Sequence, residues 1–394
     1  MDLETLAALR TDDGIRALAT AAEVSGADPL RAAAAMRARG VPATLAAAAL
    51  TQIALRRQAA GKFGAEADQM FFTRPGLEQA TRSVVADRRA DRLAAAGVAT
   101  LADLGCGIGA DALAAARRGI AVHAVDADPL TAAVAAANAE ALGLAGRMTV
   151  ACADATGVAV ERYEGVFADP ARRRAGGARV FDPRSYSPPW DFVAALPQRV
   201  PRTVLKLAPG IDHALIPAGA EAQWVSVAGD LVEAAFWTGP LAAVPRRATL
   251  VSAAGTAVEL FGSGVAAAPV GPVGAYLYDP DPAVVRAHLV AEFAEMVGGR
   301  LADASIAYVH ADAYTATPFA RAVEITDVLP FSLKRLRALV RDRGVGRLEI
   351  RKRGSALDPA QLRRDLRLSG PHEAALVLTR VAGAPTALLG RAKR

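Results

Sequence analysis

The sequence predicts an α/β protein: a largely parallel sheet, with a helical region before it and a small basic α/β module after it. Three observations predict this. From Val98 onward, short apolar runs alternate with helical stretches, the pattern of strands joined by crossover helices. Four of the runs end at or beside an acid: Asp103, Asp126, Asp154 and Asp169. Ligands of parallel sheets sit beyond the carboxyl ends of the strands, which makes these acids the strongest pattern in the chain. Charge is also uneven. Residues 332–394 hold 16 Lys+Arg against 5 Asp+Glu, which leaves 30 against 35 for the rest of a 394-residue chain of net charge +6.

Composition excludes several classes. The length suits two or three domains, each able to bury a core. Hydrophobic residues make up 53% and charged residues 22%, with no low-complexity tract, so disorder is excluded. Aromatics are only 5%, so Ala, Val and Leu carry the apolar content. No apolar run reaches the roughly 18 residues of a membrane span. Met1-Asp-Leu-Glu-Thr5 is acidic where a secretory signal would be basic. Cys106 and Cys152 are too few for a disulfide framework, so a reducing cytoplasm is expected. No metal site and no membrane partner are expected. A basic tail on a mildly acidic body points to a polyanion partner, the alternative being a solvated charged surface.

Residues 1 to about 65 read as Ala- and Leu-rich helices, with Pro29 and Pro42 at helix starts. They hold no catalytic constellation, so packing or partner contact is their expected role. The run Val98–Asp103 leads to Gly105-Cys-Gly-Ile-Gly109 and a helix through Arg118. Ile120–Val125 is the second strand, and a helix follows from Pro129 to about Leu142. Met148–Cys152, Gly165–Asp169 and Thr203–Leu207 are three more strands. Gly262–Gly274, with four Gly and two Pro, reads as a linker, and one capped helix is expected from Asp281 to about Val297. The last segment reads strand, helix, strand, helix, strand. Ser332 caps a helix ending near Gly344, Gly346–Arg351 is extended, Asp358-Pro359 opens a helix, and Ala375–Val381 is extended. The expected division is a helical region 1–70, a central domain 71–262, a linker and connecting helix 263–317, and a basic domain 318–394.

A glycine-rich turn after a strand lets backbone approach a ligand and leaves the next helix's N–H groups available. Here it is G-x-G-x-G followed by Ala110, not the G-x-G-x-x-G of dinucleotide folds. Asp126, 17 residues past Gly109, stands where an acid accepts both hydroxyls of a ribose. Asp154 can accept from an adenine amino group or serve as a turn residue. Asp169-Pro170-Ala171-Arg172 is the candidate reaction centre. Methyl transfer from a sulfonium needs an in-line nucleophile with an available lone pair. A carboxylate and a backbone carbonyl that accept both N–H groups of a base amine localise that pair toward the methyl. A plain strand-to-loop turn is the other reading.

Asp103-Leu-Gly-Cys-Gly-Ile-Gly109, Val125-Asp-Ala-Asp-Pro129 and Asp169-Pro170 resemble successive motifs of the class I S-adenosylmethionine-dependent methyltransferases. Over about residues 70–240 the likeness is closer. Phe71-Phe-Thr-Arg-Pro-Gly-Leu-Glu-Gln-Ala-Thr81 and Leu205-Lys-Leu-Ala-Pro-Gly-Ile-Asp212 are similar to segments of trimethylguanosine-synthase-like enzymes. The end of the chain, with Val345-Gly-Arg-Leu-Glu-Ile-Arg-Lys-Arg353, resembles the THUMP-like domain of bacterial methyltransferases. The resemblance implies a Rossmann-like class I sheet with an N-terminal helical region and a small C-terminal THUMP-like α/β module. It implies S-adenosylmethionine held by Phe72, Thr73, Asp103, Gly105, Gly107, Gly109, Asp126 and Asp154, with Asp169 and Pro170 catalytic. It also implies a base amine of RNA as acceptor, in transfer or ribosomal RNA, with Arg172, Arg173, Trp190, Lys206, Arg351, Lys352 and Arg353 as substrate contacts. One departure matters. The synthase-like enzymes carry Ser-Pro-Pro-Trp where this chain has Asp169-Pro-Ala-Arg172, while Ser187-Pro-Pro-Trp190 comes 18 residues later. Trp190 then either folds back to stack on the base, with Arg172 and Arg173 on phosphate, or anchors the loop. A non-catalytic binding protein that keeps the fold is the rival function. A nicotinamide dehydrogenase is disfavoured by Ala110 and by the lack of a Tyr-x-x-x-Lys relay.

Overall fold

The computed structural model describes residues 1–26, 28–172 and 186–393, with Ala171 and Arg172 as backbone only. The chain opens on helices α1 (Leu3–Leu9), α2 (Asp12–Val24), α3 (Pro29–Ala38) and α4 (Ala43–Phe63). Asp2, Thr11 and Asp28 cap the first three, each accepting an N–H of the first turn, and Pro29 opens α3 as expected. In α2 the buried set Gly14, Ala17, Leu18 and Ala21 has the helical spacing of one apolar face. Helices α5 (Arg74–Gln79) and α6 (Ser83–Ala95) lead into the sheet. Leu9, Met36 and Phe63 share one apolar core with Phe72, Leu113 and Val134. Residues 1–70 therefore bury their apolar faces against the sheet-bearing segment, where each full burial of a large side chain contributes about 1.5–3 kcal/mol.

The central strands are β1 (Thr100–Leu104), β2 (Ala121–Asp126), β3 (Met148–Cys152) and β4 (Gly165–Ala168). Helix α7 (Ala110–Arg117) connects β1 to β2, and α8 (Pro129–Ala141) connects β2 to β3. A short antiparallel pair, β5 (Ala171–Arg172) and β6 (Tyr186–Ser187), is followed by α9 (Trp190–Arg199) and β7 (Thr203–Leu207). Next come β8 (Glu221–Val227), β9 (Asp230–Trp237), β10 (Arg246–Val251) and β11 (Ala257–Gly262). The nine-stranded sheet has the order β11-β10-β8-β9-β7-β4-β1-β2-β3. Strand β1 pairs in parallel with both β2 and β4, so the chain order reverses beside it. That reversal opens the crevice where α/β sheets bind ligands.

The remaining strands are β12 (Tyr276–Pro280), β13 (Arg300–Leu301), β14 (Val309–Ala311), β15 (Ala320–Pro330), β16 (Val345–Lys352), β17 (His372–Val381) and β18 (Ala384–Lys393). They form one sheet in the order β13-β14-β12-β15-β18-β17-β16. Residues 263–317, expected as linker and connecting helix, thus also supply three strands of that sheet. The single helix expected from Asp281 is two, α10 (Pro282–Arg286) and α11 (Val290–Met296). His288 between them takes φ +59°, which no α-helix contains. Helices α12 (Leu333–Asp342) and α13 (Pro359–Leu366) begin at Ser332 and Asp358 as expected. Their Leu336, Val340, Leu362 and Leu366 join Leu348, Leu376 and Leu389 in one core. Two compact units result. The first comprises 1–207, 215–220 and 235–242; the second comprises 208–214, 221–234 and 243–394, so the expected break at 262 falls inside it. No helix among the described residues is long and apolar enough to cross a membrane.

Candidate active site

The glycine turn follows β1 with Gly105, Gly107 and Gly109 at φ +88°, +56° and +93°. A Cβ on Gly105 would stand 3.1 Å from the Asp169 carbonyl oxygen, so glycine lets the turn and the end of β4 approach. The Gly105 and Cys106 N–H groups both donate to Val125 O at 2.9 Å. Gly107 N–H donates to Asp126 Oδ2, and Asp128 N–H to Asp126 Oδ1, each at 3.0 Å. One carboxylate thus holds two turns while its oxygens keep capacity for further donors. Burial raises the Asp126 pKa, and the two backbone donors oppose that rise.

Asp103 is fully buried, and neither carboxylate oxygen has a hydrogen-bond partner among the described residues. Burial pushes its pKa well above the carboxylate range, and Asp111 and Asp169 push it further. The nearby cations are committed elsewhere. Arg89 pairs with Asp111 at 2.6 Å, and Thr81 donates its hydroxyl to the same carboxylate at 2.7 Å. Lys206 Nζ donates to Asp169 Oδ2 at 2.5 Å. Three carboxylates face two cations, and the one without a cation bonded to it is the deepest. A buried carboxylate in that state favours a positively charged ligand group.

Asp169 lies just past β4, its N–H donating to Leu104 O at 3.3 Å. Lys206, expected at the substrate, donates to Asp169 at the candidate reaction centre. The pairing of β5 with β6 sets Ala171 opposite Ser187 and Arg172 opposite Tyr186. Asp169-Pro170 and Ser187-Pro-Pro-Trp190, rivals for one role in the sequence, are thereby brought side by side. Half-buried Trp190 opens α9 with its ring 6.0 Å from that of Tyr186. Arg173 lies outside the described residues, as does the side chain of Arg172.

Phe72, expected at the cofactor, is packed in the core. Its side chain is fully buried, 5.6 Å from the Phe63 ring, and its backbone pairs with the Gln52 amide. It offers a ligand no surface. Thr73 caps α5, accepting from Gly76 N–H at 3.0 Å. Exposed Asp154 accepts from the Thr156 N–H and hydroxyl at 2.8 and 2.7 Å, a turn-capping role.

The basic triplet expected on RNA has intramolecular partners. Arg353 donates twice to Asp279 Oδ1, at 3.1 and 2.8 Å, and also to Pro280 O. Arg351 is nine-tenths buried, bonded to Glu349 and 4.0 Å from Asp279. Only Lys352 of the three is exposed, and it donates to Leu357 O. Along β16 and the residue after it, Leu348 and Ile350 alternate with Glu349, Arg351 and Arg353, and this alternation puts the two arginines on the face opposite the leucine. What it could not show is Asp279, 72 residues before Arg351, beneath that face. Asp279→Ala is expected to lower unfolding free energy by about 2–3 kcal/mol, because it strands two partly buried guanidinium groups. Chemical denaturation checks this, and an unchanged midpoint would return the two arginines to solvent.

Sequence reasoning missed the Arg89–Asp111–Thr81 network. The signal was present: Arg89 interrupts the α6 stripe Val85, Ala86, Ala90, Leu93, and a charge on a buried face requires a partner.

A parallel sheet with this glycine turn, and acids at the ends of its strands, defines the nucleoside-cofactor class of α/β enzymes. Two uncharacterized S-adenosylmethionine-dependent methyltransferases from Mycobacterium tuberculosis, strains CDC 1551 and H37Rv, are each 36% identical over 339 residues, covering 83% of this chain and 90% of theirs. The chain belongs to the S-adenosylmethionine-dependent methyltransferases. A crystal structure described as a methyltransferase from Porphyromonas gingivalis W83 has the same fold, with TM-score 0.70 at 20% identity over 90% of this chain and 92% of that one. Residues 320–392 match the THUMP domain-like family, and residues 2–59 match a domain of unknown function.

Proposed function

We propose that the chain transfers a methyl group to an exocyclic or ring amine of a base in RNA. The observation that carries the reading is the Asp169-Pro170 turn, held against Gly105 of the glycine turn and flanked through β5 and β6 by Trp190. Lys206 donates to one oxygen of Asp169, while the other oxygen and a backbone carbonyl of the turn suit the two N–H donors of a base amine. Trp190 suits a stacking role on the base. The bound cofactor supplies an electrophilic methyl on a sulfonium. For that group the chain offers the glycine turn Gly105–Gly109, Asp126 for the ribose, Asp154 for the adenine and the buried Asp103 for its positive amino-acid end. Asp126→Ala is expected to weaken S-adenosylmethionine binding by about 1.5–3 kcal/mol, and calorimetry that finds no change removes the ribose role.

The THUMP-like match and the basic tail support RNA as the partner, in the transfer or ribosomal pool of the cytoplasm. In this reading residues 1–70 brace, 71–262 carry the transfer, 263–317 connect and 318–394 dock RNA. Mass spectrometry of RNA nucleosides from a deletion strain and its parent tests it. One missing base-methylated nucleoside, restored by the purified protein, is the expected result. Cofactor binding without transfer to any RNA favours a non-catalytic binding protein.

A further inference from the structure

The helices before the sheet grip one stretch of backbone. From α4, Gln52 accepts from Phe72 N–H at 3.0 Å and donates to Phe72 O at 2.8 Å. Arg56 donates to Met70 O at 2.9 Å, and Lys62 donates to the carbonyls of Leu77, Glu78 and Ala80 at 2.7–3.0 Å. Three side chains of one helix thus fix residues 70–80. Asn138 of α8 takes the neighbouring residue in the same manner. It is fully buried, its Oδ1 accepting from Phe71 N–H at 2.7 Å and its Nδ2 donating to Phe71 O at 3.2 Å. In extended backbone a residue's N–H and C=O share one edge, and those of the next residue face the opposite edge. The two amides therefore do for Phe71 and Phe72 what neighbouring strands would do.

Asn138 does one thing more. Its second N–H donates to Ile108 O at 3.0 Å, between Gly107 and Gly109 of the glycine turn. The first turn of α5 also bears on Ile108, since a Cβ on Gly76 would fall 2.5 Å from the Ile108 Cγ2. We propose that Asn138 is a positioning residue, which ties the cofactor-binding turn at Ile108 to the segment at Phe71. The inference rests on the family's cofactor and is independent of the RNA reading.

The test compares Asn138→Ala with Gln52→Ala in the full chain. Each variant strips two bonds from one extended residue, but only Asn138 also reaches the turn. The affinity for S-adenosylhomocysteine is read by calorimetry at a temperature where each variant is fully folded. The dissociation constant is expected to rise at least about tenfold in N138A and less than about twofold in Q52A, although both unfold earlier than the parent. Asn138→Ser is the milder variant if N138A does not fold. A hydroxyl has a single donor and cannot serve both Phe71 O and Ile108 O, so binding weakens there too. Parental affinity in the Asn138 variants overturns the proposal. Equal weakening in Q52A also overturns it, because the effect would then be general loss of packing. Loss of RNA methylation with these affinities as expected would bear only on the substrate.

Discussion

Asp169→Asn is expected to lower the rate of methyl transfer about 10²-fold or more, while S-adenosylmethionine affinity stays within about threefold. The asymmetry follows from where the carboxylate acts. An amine conjugated with a base has a poorly available lone pair, and that pair is released toward the methyl only as its N–H groups are drawn to acceptors. The carboxylate's charge therefore does most in the transition state, which is the condition for an effect on turnover and not on binding. Asparagine keeps the shape and the backbone bond to Leu104, so the turn against Gly105 should persist. Lys206 supplies a control. Its ammonium pairs with Asp169, and Lys206→Met removes the cation while leaving the acceptor in place. A smaller loss of turnover is expected there, because the acceptor remains and only the ammonium that orients it is gone. Full turnover in Asp169→Asn would make the residue a strand-end turn and pass its role to the Ser187–Trp190 stretch.

What the sequence made legible was local. Pro29, Ser332 and Asp358 announce helix starts because a cap or a fixed φ acts within one turn. The glycine turn and Asp126 could be read together because a strand, a turn and the next strand end are close in both chain and space. The failures are of longer range. The last strand read from the sequence is Ala375–Val381, yet β18 follows it and lies between β15 and β17. There a Cβ on Gly390 would meet the Glu324 carbonyl at 2.2 Å, so glycine is what lets the two strands close. Asp169 and the Ser187–Trp190 stretch looked like alternatives because only the pairing of β5 with β6 joins them. The charges of Arg351 and Arg353 were counted correctly and their partner was not visible. A cation's availability is a property of packing, which composition does not contain.

With Arg351 and Arg353 engaged by acids, the cations of the basic module most open to a polyanion stand on its two helices. Helices α12 and α13 bury Leu336, Val340, Leu362 and Leu366 in the sheet, so their other faces meet solvent. Lys334, Arg335 and Arg341 are exposed on α12, and Arg363, Arg364 and Arg367 are exposed on and just after α13. Other cations nearby are tied to acids: Arg343 pairs with Asp327, Arg347 with Glu373 and Lys393 with Glu324. On the proposed reading, replacing Lys334, Arg335 and Arg341 with Ala weakens RNA binding about equally across sequences. It flattens the slope of log affinity against log salt by up to about two units, at roughly 0.7 per phosphate contact on single-stranded RNA. Stability should change little, since exposed charges of this kind contribute about 1 kcal/mol or less. The Arg351→Ala, Arg353→Ala double variant should behave in the opposite way, with an earlier unfolding transition and the parental salt slope. A salt titration on one structured RNA separates the two sets. If the helix variant keeps the parental slope, the exposed cations are a solvated surface and RNA docks elsewhere or not at all.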